Sequence, residues 1–460
     1  LEINKNDFGS EFKWGVTISA FQNEGAVNVD GKGPSIWDTF SHKEGKIKTG
    51  ENADIACNFY YNYEEDINLA KYLNFSDFGF SLSWSRILPL GTGAVNEKGL
   101  DFYDRVIDHC LKIGIEPLIT LYHWDLPQAL EDKGGWANRD IINWFSEYVA
   151  ICTQRYGDRV KNYKVLNEPS AFTGFGYMTG EHAPGHKNLF KFLAAAHHAN
   201  LAQAVGGRIV RQNVKNSHIG TSFATFCVQS RSDSYLDKRA ERVIDATINR
   251  MFVEPLVGLG YPYADFPALR LIEIFIKKDD DKNIQFDFDF IGIQYYCRLV
   301  ARFSLYPFLA FAYEVPAKER GVPMNNMGFE IYPEGMYDVL KRYANYPKVK
   351  KLIITENGVC LDDVLNNGVV DDKIRIQFYK DYLANVLKAK KEGIPVEGFF
   401  CWTLMDNFEW WEGYRARFGL VYVNHKTQER TIKNSGYWMK NFLGLNKFQF
   451  EDRFLTDKFV

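Results

Sequence analysis

Asn162-Tyr163-Lys164-Val165-Leu166-Asn167-Glu168-Pro169 is a short strand-like run that stops at turn residues. Proline cannot continue a ladder and biases the residue before it away from helix, so the run ends at Glu168. A second stretch, Leu352-Ile353-Ile354-Thr355-Glu356-Asn357-Gly358, ends in the same way, with Asn-Gly as its punctuation. In a chain of repeating strand–helix units, the C-terminal ends of the strands form the rim on which chemistry is built. Each run delivers one glutamate to that rim. Two carboxyls on a rigid frame can serve as proton donor and as nucleophile or base.

Working outward, apolar, β-branched or aromatic runs alternate with amphipathic stretches along the whole chain, the pattern of parallel strands with helical crossovers. Eight strands are predicted, near Lys13–Ser19, Asp77–Trp84, Glu116–Tyr122, Asn162–Leu166, His218–Ala224, Phe288–Tyr295, Lys351–Thr355 and Val396–Thr403. Helices are predicted over Phe59–Leu73, Gly99–Ile113, Asp140–Arg155, Leu189–Arg211, Gly335–Tyr346 and Asp372–Lys391. Asn138 and Asp140 are start signals, and Gly114 and Gly393 are stop signals. The expected fold is α/β, a single (β/α)8 barrel domain over residues 1–460 with long loops at the C-terminal face. The charge run Lys277–Lys282 reads as a solvated turn before the sixth strand.

A net charge of −3 gives no electrostatic case for nucleic acid or an anionic membrane, and no apolar run is long enough to span a bilayer. Aromatic residues make up 16% of the chain, which suits a thick core and also a cleft that stacks on sugar faces. Seven dispersed cysteines argue for reduced thiols in a cytoplasmic-type compartment rather than a disulfide frame. The first residue is Leu rather than Met, so a removed leader stays compatible with the sequence.

Taken singly, Asn167-Glu168-Pro169 and Thr355-Glu356-Asn357-Gly358 are weak signals; in this order, on the fourth and seventh of eight strands, they are strong. Further motifs accompany them: Phe12-Lys13-Trp14-Gly15, Ala20-Phe21-Gln22-Asn23-Glu24-Gly25, Ser35-Ile36-Trp37-Asp38-Thr39-Phe40, Ser83-Trp84-Ser85-Arg86-Ile87, Tyr122-His123-Trp124-Asp125-Leu126-Pro127-Gln128, Ala183-Pro184-Gly185 and Asp406-Asn407-Phe408-Glu409-Trp410. Nearly end to end, the chain resembles glycoside hydrolase family 1, the retaining β-glucosidases and β-galactosidases.

The resemblance implies that Glu168 is the general acid/base and Glu356 the nucleophile. It places Gln22, His123, Trp124, Asn167, Tyr295 and Glu409 about the bound sugar, with Trp402 and Trp410 as its platform and polar edge. It also implies that Arg86 and Tyr295 contact the nucleophile. Each assignment has a plainer rival: His123 as a core histidine satisfied by Asp125, Glu409 as loop surface charge, Arg86 as a structural ion-pair partner.

No metal motif is present, and neither a GxGxxG nor a P-loop suggests a cofactor. His197 and His198 are helical neighbours and point to different faces. The expected partners are small β-glucosides or oligosaccharides, and the oligomeric state stays open. Members of the phosphorylated-sugar branch typically carry Ser where Glu409 stands, with Lys and Tyr near Ala416 and Phe418, so an unphosphorylated hexose is expected, glucose first. Galactoside, fucoside and transglycosylation chemistry remain alternatives on the same site. A sugar-binding barrel without chemistry usually lacks one carboxylate, and here both are present.

Overall fold

The computed structural model describes residues 3–306 and 308–444. Among them, eight parallel strands form the central sheet: β1 Lys13–Thr17, β2 Asp77–Ser81, β3 Glu116–Tyr122, β4 Asn162–Asn167, β5 His218–Ser230, β6 Phe290–Phe303, β7 Leu352–Asn357 and β8 Val396–Trp402. Their order is β5-β4-β3-β2-β1-β8-β7-β6, and pairing between β5 and β6 closes the ring. The (β/α)8 barrel expected from the strand–helix alternation is therefore the fold.

The crossover helices arise where hydrophobic residues return every three or four positions. Glu97–Lys112 buries Leu100, Tyr103, Val106, Ile107 and Cys110 along one stripe and stops at Gly114, whose φ of +71° suits a residue without Cβ. Ahead of Ile141–Tyr156, the Asn138 side chain accepts from the Asp140 N–H at 3.0 Å, so Asn138 organises the entry turn while Asp140 makes no side-chain cap.

Residues from distant strands meet only through the barrel interior. Leu118, Phe290, Ile353 and Phe400, from β3, β6, β7 and β8, form one such apolar cluster. Glycines leave room for these rings: a Cβ on Gly15 would lie 2.2 Å from Phe400, and one on Gly220 would lie 2.3 Å from Phe290. One step closer to the strands' C-terminal ends, the interior becomes polar. The Thr17 hydroxyl donates to the Thr355 carbonyl at 3.3 Å, and the Ser222 and Thr355 hydroxyls are 2.9 Å apart.

Two features depart from expectation. Strands β5 and β6 run on for 13 and 14 residues and stay paired from Cys227↔Arg298 to Ser230↔Ala301, and β6 acquires an antiparallel partner in Ala312–Val315. The Lys277–Lys282 run is not a purely solvated turn. Its Asp280 is buried, takes two bonds from the Arg139 guanidinium, contacts His197 Nε2 at 2.9 Å and accepts from the Lys277 N–H at 2.8 Å. A carboxylate so desolvated persists because each oxygen has a donor. His198 turns elsewhere, its Nδ1 2.9 Å from the Trp136 carbonyl, so the two adjacent histidines do face apart.

All seven cysteines are buried and unpaired. Among the described residues no helix is long and apolar enough to cross a membrane.

Candidate active site

Three L-residues of the site at the barrel's C-terminal rim have positive φ. They are Glu168 (φ 49°) at the end of β4, Trp124 (φ 76°) beyond β3 and Trp410 (φ 51°) beyond β8. A positive φ is costly for side chains other than glycine, and such residues gather where geometry matters more than stability. The Glu168 N–H donates to the Ser222 carbonyl of β5 at 2.9 Å, and Pro169 opens a short helix that carries the chain away.

Glu356, in β7, is buried opposite. Tyr296 donates its hydroxyl to Oε2 at 3.1 Å, and the Lys164 ammonium faces Oε1 at 3.6 Å. Asn167 ties the two glutamate strands together. Its Oδ1 accepts from Lys164 Nζ at 2.6 Å and from Gln294 Nε2 at 2.7 Å, which fixes the amide orientation. Its NH2 must then donate to His123 Nε2, 3.1 Å away, so His123 carries its proton on Nδ1. Burial and the Lys164 charge hold the His123 pKa well below the usual imidazole range, consistent with a neutral ring. The Trp124 indole donates to the Asn167 carbonyl at 3.0 Å.

A second cluster closes the site from the β8 side. Gln22 donates to Glu409 at 3.1 Å and to Asn407 at 3.3 Å, while the Ser19 hydroxyl donates to the Gln22 carbonyl oxygen at 2.6 Å. The Trp402 indole also hydrogen-bonds Glu409. The Trp410 ring stacks on Trp124 at 4.5 Å, and the His123 ring lies 5.9 Å from both Trp402 and Trp410. Glu409 is buried, which removes its reading as loop surface charge. The plain reading of His123 also fails: Asp125 has no hydrogen-bond partner among the described residues, and His123 turns to Asn167 instead.

The two central carboxyls differ electrically. Burial raises the pKa of Glu168 far above the usual carboxylate range, and the charge of Glu356 adds to the rise. Burial raises Glu356 too, but Lys164, Tyr296 and Asn167 pull it back. Glu409 is pushed up to about 8, by burial first and then by Glu356. Such a constellation keeps one carboxyl protonated beside another that ionises more readily, the division that acid-assisted displacement at carbon requires.

Of the sequence-predicted residues, Gln22, His123, Trp124, Asn167, Glu168, Glu356, Trp402, Glu409 and Trp410 come together in this network. Two do not take their expected places. Arg86 lies behind the rim, its guanidinium bound to Glu24 at 2.9 Å and to the Gly25 carbonyl at 3.2 Å, over the Tyr60 ring. Tyr295 donates to the Tyr332 carbonyl at 2.8 Å, away from Glu356. Successive residues of a strand face opposite sides, so the tyrosine that reaches Glu356 is Tyr296, on the same face as Gln294. Lys164 is not among the expected site residues, although a lysine between Tyr163 and Val165-Leu166 in a strand-like run is a visible anomaly. Trp411 lies under the Lys48 ammonium at 3.7 Å, while Ala416 and Phe418 pack with Trp402 and Cys360.

The sequence profile described as Glycosyl hydrolase family 1 matches residues 4–448. Beta-glucosidase A of Thermotoga maritima is 42% identical over 452 residues, 96% of this chain and 99% of that protein. A solved family 1 β-glucosidase from the same organism superposes with a TM-score of 0.92 at 42% identity, covering 96% of this chain and 99% of that one. A further T. maritima β-glucosidase structure, in complex with galacto-hydroximolactam, superposes with a TM-score of 0.90 at 41% identity, covering 95% of this chain and 99% of that one.

Proposed function

The chain belongs to glycosyl hydrolase family 1, and from that premise we propose that it is a retaining β-glucosidase acting on terminal, unphosphorylated β-D-glucosyl residues, with Glu356 as nucleophile and Glu168 as acid/base. The observation that carries the assignment of roles is the asymmetry of the pair: Lys164 faces Glu356 at 3.6 Å and Tyr296 donates to it at 3.1 Å, whereas Glu168 feels the opposing charge of Glu356 and is relieved only in part by the Lys164 charge.

Glu356 attacks the anomeric carbon while protonated Glu168 delivers its proton to the departing oxygen. Ester formation removes the Glu356 charge, so the Glu168 pKa falls and the same carboxyl accepts a proton from the attacking water. Gln22, His123, Asn167 and Glu409 supply paired polar groups for vicinal hydroxyls, and the indoles of Trp402 and Trp410 cover an apolar sugar face. A 6-phosphate would bring two negative charges beside the buried acids Glu409 and Glu356, and Ala416 and Phe418, packed with Trp402, supply no cation to pair with it.

A second reading, activity on β-galactosides, is favoured by a specific observation: the T. maritima β-glucosidase at 41% identity is solved in complex with galacto-hydroximolactam. Seven buried, unpaired thiols support a reducing, cytoplasmic-type setting.

A panel of aryl β-glucosides, β-galactosides, β-fucosides and 6-phosphoglycosides tests the substrate, and NMR of the first-formed anomer tests the stereochemistry. The expected result is strongest turnover on the glucoside with the β-anomer released first. Turnover confined to 6-phosphoglycosides would overturn the assigned substrate, and an α-anomer released first would overturn retention. Glu168→Ala should spare glycosides with very good leaving groups and regain rate with azide; no acceleration by azide would remove Glu168 from the acid/base role.

A further inference from the structure

We infer that Lys164 is the cation that sets the ionisation of both catalytic carboxyls, a positioning residue inside the barrel, beside the nucleophile where the family resemblance implies Arg86. The inference rests on the glycosidase reading of Glu168 and Glu356.

Lys164 lies on β4, in register with Thr120 of β3 and Gly220 of β5, and is 1% exposed. Its side chain crosses the interior to reach Glu356 on β7, which is not a neighbour of β4 in the sheet. At that level the other strands contribute Thr17, Thr120, Ser222, Gly292 and Thr355, none of them charged. Among the described residues, Lys164 is the basic group paired with Glu356, since Arg86 is committed to Glu24. The groups facing Glu356 are thus Lys164 from β4, Tyr296 from β6, the amide of Asn167, and the two acids Glu168 and Glu409.

A lysine placed merely to fill this space would carry a large desolvation cost that a methionine of similar volume avoids. Its position explains why the charge is kept. The ammonium is a compact point charge, closest to Glu356 and also felt by Glu168, and it fixes Asn167 through the 2.6 Å hydrogen bond. With both acids free, Lys164 favours ionisation of the nearer one. Once Glu356 is esterified, the only acid of the pair left to respond is Glu168, which the same cation then helps to ionise for its role as base. A single fixed charge thereby serves both half-reactions.

The test compares Lys164→Met, which removes charge and hydrogen bond, with Lys164→Gln, which retains a donor. The pH profile of kcat/KM is measured on 2,4-dinitrophenyl β-glucoside, whose departure needs no acid, so that the acid limb reports Glu356. Both variants should shift that limb upward by about one pH unit or more, with a loss of about tenfold or greater at pH 5 beyond any loss at pH 8. An acid limb that stays in place in both folded variants would overturn the inference. A shift in Lys164→Met alone would also overturn it, by assigning the effect to the hydrogen bond. If neither single variant folds, pairing Lys164→Met with Glu356→Gln should restore a folded barrel, and a double variant as unfolded as the single would refute the charge pairing. Absence of β-glycosidase activity in the unaltered protein would instead refute the glycosidase reading, so the two failures are distinct.

Discussion

Tyr295 and Tyr296 differ by one position and have opposite surroundings. The Tyr296 hydroxyl donates to Glu356, whereas the Tyr295 hydroxyl donates to a backbone carbonyl under the rim. A hydrogen bond to an ionised oxygen is worth about 1.5–3 kcal/mol, and removing one from a nucleophile raises its pKa and misorients it. Tyr296→Phe should therefore lower kcat/KM by about ten- to a hundredfold. Tyr295→Phe should leave kcat/KM within about twofold and cost only about 1 kcal/mol of stability. Steady-state kinetics on an aryl β-glucoside decides between them, and equal losses would mean that both tyrosines face the reaction. The pair also shows what the sequence makes legible at this scale. Glu168 and Glu356 announce themselves because turn residues follow each strand, but which neighbour faces inward depends on register. The β6–β7 register shifts between Ile293 and Gln294, a local irregularity that no residue pattern signals.

Among the elements, strand and helix cores followed from periodicity, while the extension of β5 and β6 beyond the rim did not. Their alternation is continuous with an ordinary strand, and only the partner Ala312–Val315 explains why pairing persists. The Lys277–Lys282 turn illustrates the opposite error. All six of its residues are charged, yet Asp280 folds inward because Arg139, from the segment leading into Ile141–Tyr156, and His197, from Leu189–Asn213, both reach it. Asp280→Ala would leave a partly buried guanidinium and a buried imidazole without their shared acceptor. The expected cost is about 3 kcal/mol of unfolding free energy with little change in kcat at 25 °C, read by denaturant unfolding and by steady-state assay. Despite the cost of burial, Arg139, His197 and the Lys277 N–H hold the Asp280 pKa down to about 2. Its contribution is therefore complete above the unfolded value of 3.8 and is lost as pH falls through that value toward 2. The difference in stability between parent and variant should shrink over that window; a difference independent of pH would mean that packing, not charge, is lost.

For the molecule as a whole, the barrel concentrates opposing charge effects in one place. Asp280 stabilises when ionised, whereas the site acids are held where ionisation is unfavourable. Glu409 is the clearest of these, raised to about 8 from an ordinary 4.5 by burial and by Glu356. Between those values the folded protein keeps a proton that the unfolded chain has released, so folding stability from this group falls as pH climbs from 4.5 toward 8. That is the reverse of the Asp280 window, and it means that this acid weakens the fold increasingly as pH rises from 4.5 toward 8. Glu409→Gln removes the titrating charge and keeps polar atoms for Gln22 and Trp402. At pH 8 the variant should unfold about 2 °C or more above the parent, and the gap should narrow as pH falls and close below about 4.5, where the carboxyl is largely protonated in both the folded and unfolded states. Activity on β-glucosides should fall by about ten- to a hundredfold if Glu409 takes the proposed place at the sugar hydroxyls, because an amide cannot offer the two oxygens of the carboxyl. Thermal unfolding at several pH values, beside kinetics on the same preparations, makes the comparison. A variant that melts below the parent at pH 8 would show that Glu409 is a net stabiliser, and that the site's charge imposes no cost on the barrel that carries it.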